Sequence, residues 1–199
     1  MYPLFETIRI LDGRPQHLEW HQERLERSFY AHFNTATSLR LDAILRVPEK
    51  FSRDAVKCRF LYGDGGYRPE FERYVPRKIQ SLKLVEAGGL DYSLKYTDRN
   101  AINALLKEKD RCDDILICKH GMITDTSYTN VVLFNGERWV TPLHPLLEGT
   151  CRNRLVAEGR ILEMELHLDD LPRFHSFKLI NAMLDFDEQV SLKTERIIS

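Results

Sequence analysis

Long apolar runs are missing from this chain: no stretch approaches the roughly 18 consecutive apolar residues of a membrane span, and the N-terminus lacks the charged-then-apolar order of a secretory signal. Neither export nor membrane insertion is expected, and the expected location is the cytoplasm. Cysteine is sparse. Cys58, Cys112, Cys118 and Cys151 show no C-x-x-C spacing and have no histidine at zinc-ligand intervals. Neither a metal site nor a disulfide framework is indicated, which suits a reducing compartment. An excess of one charge is lacking too: 29 basic against 30 acidic residues leave a net charge of -1. That balance offers no basic field for nucleic acid and no cationic face for a membrane. There is no internal repeat and no low-complexity tract. The partners to expect are small molecules or a second copy of the chain.

What is present is an ordinary globular composition. At 199 residues, 43% hydrophobic and 10% aromatic, the chain can bury the core of one large domain or two small ones. The pattern breaks at Pro76-Arg77-Lys78, which divides it into a small N-terminal α+β subdomain, residues 1–77, and a larger C-terminal one, residues 78–199. The N-terminal part opens with alternation over residues 5–11, a strand closed by the turn Asp12-Gly13. On a strand, Phe5, Thr7 and Arg9 share one face. That set suits either a pocket wall on which Arg9 clamps a carboxylate, or an edge strand with a solvated arginine. Residues 18–33 carry Leu18, Leu25, Phe29 and Phe33 at helical spacing. A second helix is expected over residues 38–47, ended by Pro48, and residues 56–62 and 68–75 form a hairpin around Gly63-Asp64-Gly65-Gly66.

In the C-terminal part, Leu94 to Arg99 precede a helix over residues 100–109, with Asp98 as its expected cap. Two β runs, residues 115–119 and 131–135, flank a polar loop holding Asp125 and Thr126. Gly149-Thr150 then opens a helix over residues 152–161. A helix start is an anion site, because its backbone N–H groups and positive dipole end suit a phosphate, to which the Thr150 hydroxyl can add a donor. Taken singly, these pieces also suit plainer roles, with Asp125 and Thr126 closing a turn and Thr150 capping a helix.

Four stretches stand in an order that resembles one family: Phe5-Glu6-Thr7-Ile8-Arg9, His21-Gln22-Glu23-Arg24-Leu25, Lys95-Tyr96-Thr97-Asp98-Arg99, and the run from Gly121 to Arg152. The chain resembles the fold-type IV enzymes that use pyridoxal 5'-phosphate, which include branched-chain and D-amino acid aminotransferases and 4-amino-4-deoxychorismate lyase. The resemblance spans nearly the whole chain. It implies an α+β fold of two subdomains, the C-terminal one binding the cofactor, and a homodimer. It assigns Lys95 to the lysine that joins the cofactor aldehyde, a role that needs an amine kept from full protonation by burial. By the same likeness Arg24, the hydroxyl and backbone of Thr150 and the backbone of Cys151 hold the phosphate, and Asp125 faces the ring nitrogen. Arg9, Thr7 and Arg59 become the residues that bind substrate.

This chain departs from the family's pattern in three places. Asp125 replaces the usual Glu, and Cys151 replaces the usual second hydroxyl, a stronger donor than a thiol. Relatives also carry a longer segment before the first strand, which implies a changed pocket wall or dimer contact. The K-x-x-D-R pattern at Lys95 is similar to the K-x-x-N-R of the lyase branch. The implied reaction converts 4-amino-4-deoxychorismate to 4-aminobenzoate and pyruvate, a step towards folate. Two alternatives stand beside it: an aminotransferase using 2-oxoglutarate, and a relative that binds a small molecule without turnover.

Overall fold

A computed structural model describes residues 2–198. Within them the chain is α+β and separates into two compact units. The first is Met1–Pro76 with Leu94–Asp98; the second is Arg77–Ser93 with Arg99–Ser199. The segment that carries Lys95 therefore packs with the N-terminal unit, although it follows the first stretch of the second.

The first unit runs β1 (Leu4–Leu11), β2 (Arg14–Pro15), α1 (Leu18–Phe33), α2 (Leu41–Ile44), β3 (Ala55–Gly63) and β4 (Gly66–Arg73). Its strands are ordered β2-β1-β3-β4 and antiparallel throughout. Asp12 and Gly13, both at positive φ, make the two-residue turn into β2, and Asp64-Gly65 make the turn between Gly63 and Gly66. Alternation decides the two faces. Leu4, Ile8 and Ile10 of β1, with Val56, Cys58, Phe60 and Tyr62 of β3, pack on Leu25 and Phe29 of α1. Phe5, Thr7 and Arg9 lie on the opposite face, with Arg59 paired to Thr7 across the ladder.

The helix expected over residues 38–47 shrinks to the single turn α2. Its first part is extended because Gln22 of α1 holds it there: the side-chain amide donates to Leu39 O at 2.9 Å and its oxygen accepts from Leu41 N at 2.8 Å.

The second unit holds β5 (Leu82–Glu86), α3 (Asn100–Leu105), β6 (Asp114–Lys119), β7 (Met122–Thr126), β8 (Asn130–Phe134), β9 (Trp139–Pro142), α4 (Thr150–Ala157), β10 (Leu162–Met164), β11 (Ser176–Ile180), β12 (Leu192–Lys193) and β13 (Ile197–Ile198). Among the described residues these strands form one sheet, ordered β10-β9-β8-β7-β6-β5-β13, from which β11 branches to pair with β8 and β12. Val131, Leu133, Val140, Phe177 and Leu179 centre its main core, and Val132, Leu155, Ile161 and Ile180 a second one beneath α4.

Two expectations change here. The polar loop after residue 119 is largely a strand, β7, because the β-branched Ile123, Thr124 and Thr126 suit the ladder and Thr124 Oγ1 satisfies itself on Ile117 O at 2.7 Å. Helix α3 begins after Arg99 with no side-chain cap, so Asp98 does not cap it, and it tightens into a 3-10 turn at Leu106–Lys109.

Candidate active site

On the helix-covered face of the first unit, alternation puts Glu6 among Leu4, Ile8 and Ile10, and the residue is fully buried. A lone carboxylate there would be costly, and α1 supplies its partners. Arg24 donates from Nε to Glu6 Oε1 at 2.9 Å and from Nη2 to Oε2 at 2.5 Å. His21 Nδ1 lies 2.7 Å from the same Oε2. Burial alone would push the Glu6 carboxyl up, but the Arg24 charge and the hydrogen bonds from His21 and Arg24 outweigh it and hold the group down at about 2. His21 is pulled below its ordinary range, first by burial, then by the charges of Arg24 and Lys95 against the opposing pull of Glu6. Arg24 is thus a buried cation of fixed orientation.

The other face of the same strand gathers Phe5, Thr7, Arg9 and Arg59. The segment Leu94–Asp98 runs along the start of β1: Phe5 N donates to Lys95 O at 3.1 Å, Leu4 bridges Tyr96, and Thr97 N donates to Pro3 O at 2.8 Å. This edge pairing places Lys95. Its Nζ lies 4.9 Å from the Phe5 ring centre, and the Arg59 guanidinium lies 4.7 Å from the same centre. A lysine and an arginine over one buried ring make a cationic, partly desolvated wall. Arg59 has a loose ion pair with Glu70 at 3.7 Å, and Thr7 and Arg9 are half-buried beside it.

In the second unit Asp125 and Asn130 stand opposite each other across the β7–β8 hairpin. The loop between them is closed by Thr126 N on Thr129 O at 2.9 Å and by the two threonine hydroxyls at 2.6 Å. Asp125 is buried; its Oδ1 accepts from Asn130 Nδ2 at 2.8 Å and its Oδ2 from Leu147 N at 2.9 Å. Burial pushes its carboxyl up to about 6, against the lowering effect of those two hydrogen bonds, of the Arg152 charge and of the Leu146 N–H.

At the start of α4, Gly149 is the N-cap and Thr150 the first helical residue. The first intrahelical bond runs from Asn153 N to Gly149 O at 2.9 Å, so the N–H groups of Thr150, Cys151 and Arg152 meet no carbonyl of the helix. The Cys151 side chain turns into the core beneath α4, with Sγ 4.0 Å from Arg154 Nη2, and burial raises its thiol to about 11.

A family model described as amino-transferase class IV matches residues 3–186. The chain belongs to the amino-transferase class IV family. An uncharacterized protein of Haemophilus influenzae is 35% identical over 185 residues, 92% of this chain and 98% of its own. The crystal structure of a candidate 4-amino-4-deoxychorismate lyase from Haemophilus somnus superposes with a TM-score of 0.86 at 34% identity, covering 94% of this chain and 98% of that one. A hypothetical aminotransferase from Mycobacterium tuberculosis, in a PLP-bound form, gives 0.76 at 20% identity over 96% of this chain and 80% of its own, a likeness of fold alone. Membership of the amino-transferase class IV family makes the chain one of its enzymes.

Sequence reasoning passed over Glu6 and Asn130. Both were within reach: Glu6 interrupts an apolar face, and Asn130 opens an otherwise apolar strand.

Proposed function

We propose that the chain binds pyridoxal 5'-phosphate and uses it to release pyruvate from 4-amino-4-deoxychorismate, leaving 4-aminobenzoate. The residues fit such a cofactor. A phosphate calls for a fixed cation and backbone donors, and Arg24, held by Glu6, and the N–H groups of Thr150 and Cys151 are of that kind. A protonated pyridine nitrogen calls for a carboxylate, and Asp125 is a buried acid whose raised pKa marks a shortage of positive charge that such a ring would make good.

The observation that carries the reading is the place of Lys95, fixed by β1 with its Nζ 4.9 Å from the centre of the buried Phe5 ring, which Arg59 also approaches at 4.7 Å. There the amine is partly desolvated, as an attacking amine must be. Lys95 is the point of covalent attachment, and once displaced it moves protons at its Nζ. Arg9, Arg59 and Thr7 offer two guanidinium groups and a hydroxyl to the carboxylates of the substrate. Bound cofactor supplies an electron-poor ring that takes up the pair released when a bond at the substrate α-carbon breaks. The lyase assignment is supported by the Lys95-to-Arg99 pattern and by the likeness to the Haemophilus somnus protein. The protein is expected to work as a homodimer, which light scattering of the purified chain would test.

Borohydride reduction of cofactor-loaded protein followed by peptide mapping tests the attachment. The pyridoxyl group belongs on the peptide carrying Lys95, and an adduct on another lysine would falsify the assignment. Lys95→Ala should lower formation of 4-aminobenzoate by at least about 100-fold. A second reading, an aminotransferase using 2-oxoglutarate, is favoured by the pair Arg9 and Arg59 on one sheet face, which suits an oxo diacid equally well. Conversion of bound cofactor to its amine form by an amino donor would establish that reading.

A further inference from the structure

We infer that Asn130 is a positioning residue that ties the carboxylate of Asp125 to the start of α4, so that the acid and the Gly149–Thr150 turn are set as one piece. The inference rests on the reading of Asp125 and Thr150 as cofactor-facing groups. Its own argument lies in the second unit.

The Asn130 amide nitrogen has two acceptors before it, Asp125 Oδ1 at 2.8 Å and Leu147 O at 2.9 Å. Two acceptors on one side fix the orientation of the amide, because only its NH2 end can serve both. Its oxygen must then point the other way, and there it meets Gly149. A β-carbon built on Gly149 would fall well inside contact distance of Asn130 Oδ1. Gly149 has an ordinary extended backbone, so this position needs glycine for space and not for conformation. Leu147 closes the arrangement, since its N–H donates to Asp125 Oδ2 while its carbonyl accepts from Asn130. One side chain, five residues along from the acid and opposite it on the hairpin, thus holds an oxygen of Asp125, the backbone of the segment leading into α4, and the α-carbon of the N-cap.

Coupling of this kind has a signature that separate structural roles lack. If Asn130 is the link, replacing Gly149 by alanine displaces Asn130 and loosens Asp125; the three atoms nearest the added methyl all belong to the Asn130 side-chain amide, so once Asn130 has been cut back the close contact is gone. The Asn130 hydrogen bond lowers the Asp125 carboxyl more than the Arg152 charge does, so loss of the Asn130 donor should show directly in its titration.

The experiment has two arms. In cofactor-free protein carrying isotope-labelled aspartate, the Asp125 carboxyl is titrated by NMR in wild type, Asn130→Ala and the isosteric Asn130→Asp. The midpoint should rise by about one unit in the first variant, which removes a donor to the charged form, and further in the second, which sets a like charge beside it. In the other arm, pyridoxal 5'-phosphate affinity is measured for Asn130→Ala, Gly149→Ala and the double variant. Each single change should weaken binding roughly tenfold, and the double variant should be no weaker than Asn130→Ala alone. Additive losses, or an Asp125 midpoint that ignores both substitutions at Asn130, would overturn the inference. Wild-type protein that took up no cofactor would instead defeat the cofactor reading, and the titration would decide the link between Asn130 and Asp125 by itself.

Discussion

Glu6 in the first unit and Asp125 in the second are both buried carboxylates on strands, yet burial has opposite outcomes for them. Glu6 meets a guanidinium through two hydrogen bonds and an imidazole through a third, and is held at about 2. Asp125 meets only neutral donors, the Asn130 amide and the Leu146 and Leu147 N–H groups, with a guanidinium acting through its charge alone, and is pushed up to about 6. A fully compensated pair is a frame: it fixes the direction of a cation, here Arg24. An under-compensated acid is poised for a cation that the fold does not itself supply. Reaction chemistry is to be sought at the second kind, and orientation at the first.

The largest effect should come from breaking the frame. Glu6→Gln leaves Arg24 buried without its counter-charge, and unfolding in urea should show a loss of about 3–5 kcal/mol. A loss within about 1 kcal/mol would mean that water reaches Arg24 and that the contrast between the units is weaker than drawn.

Acidity sharpens the same contrast. Glu6 has a folded pKa below its ordinary 4.5, so its stabilisation is complete above 4.5 and is lost as pH falls through about 2. Asp125 has a folded pKa above its ordinary 3.8, so its ionised form destabilises the cofactor-free protein. Stability should therefore rise as pH falls through about 6 towards 3.8. Each limb is worth up to about 3 kcal/mol. Urea melts across this range should give a maximum near pH 4, between the ordinary values of 3.8 and 4.5 where the two limbs offset each other, and Asp125→Ala should lack the neutral-side limb. Bound cofactor, which favours the charged acid, should flatten that limb.

The first unit also contrasts with itself, because β1 is closed on one face and partly open on the other. Among the described residues, Arg59 on the open face contacts the Phe5 ring and forms a loose pair with Glu70. Arg59→Ala should leave the melt almost unchanged and raise KM roughly 10- to 100-fold, the loss of one charge-assisted contact, with kcat little altered. A fall in kcat with unchanged KM would move Arg59 from substrate binding to the chemistry.

Period-two alternation made much of this legible before the structure. It set Phe5, Thr7 and Arg9 on one face and placed the Asp12-Gly13 turn and the Gly63–Gly66 hairpin. Alternation could not show what lies across from a strand. Nothing in the order of residues says that Glu6 would find its partners on α1, that Leu94–Asp98 would pair with β1, or that Gln22 would hold residues 39–41 extended. The polar side chains around Asp125 predict a loop. The run is a strand because each polar group found a nearby acceptor or donor, which is a property of tertiary structure.

The smallest effect concerns the position where this chain carries a thiol in place of a hydroxyl. A weaker donor at Cys151 suggests a weaker grip on phosphate, but the side chain does not serve that end of the helix. Its sulfur lies among Val132, Leu155 and Ile180 and against Arg154. What Cys151 presents at the helix start is its backbone N–H, which substitution leaves in place. Cys151→Ser should therefore change cofactor affinity by less than about threefold, while costing about 1 kcal/mol of stability because a hydroxyl replaces sulfur in an apolar setting. Cofactor titration and a urea melt on one sample check both parts. A tenfold gain in affinity would mean that the side chain at this position reaches the phosphate after all, and the helix start would then owe its anion site to side-chain chemistry more than to the backbone.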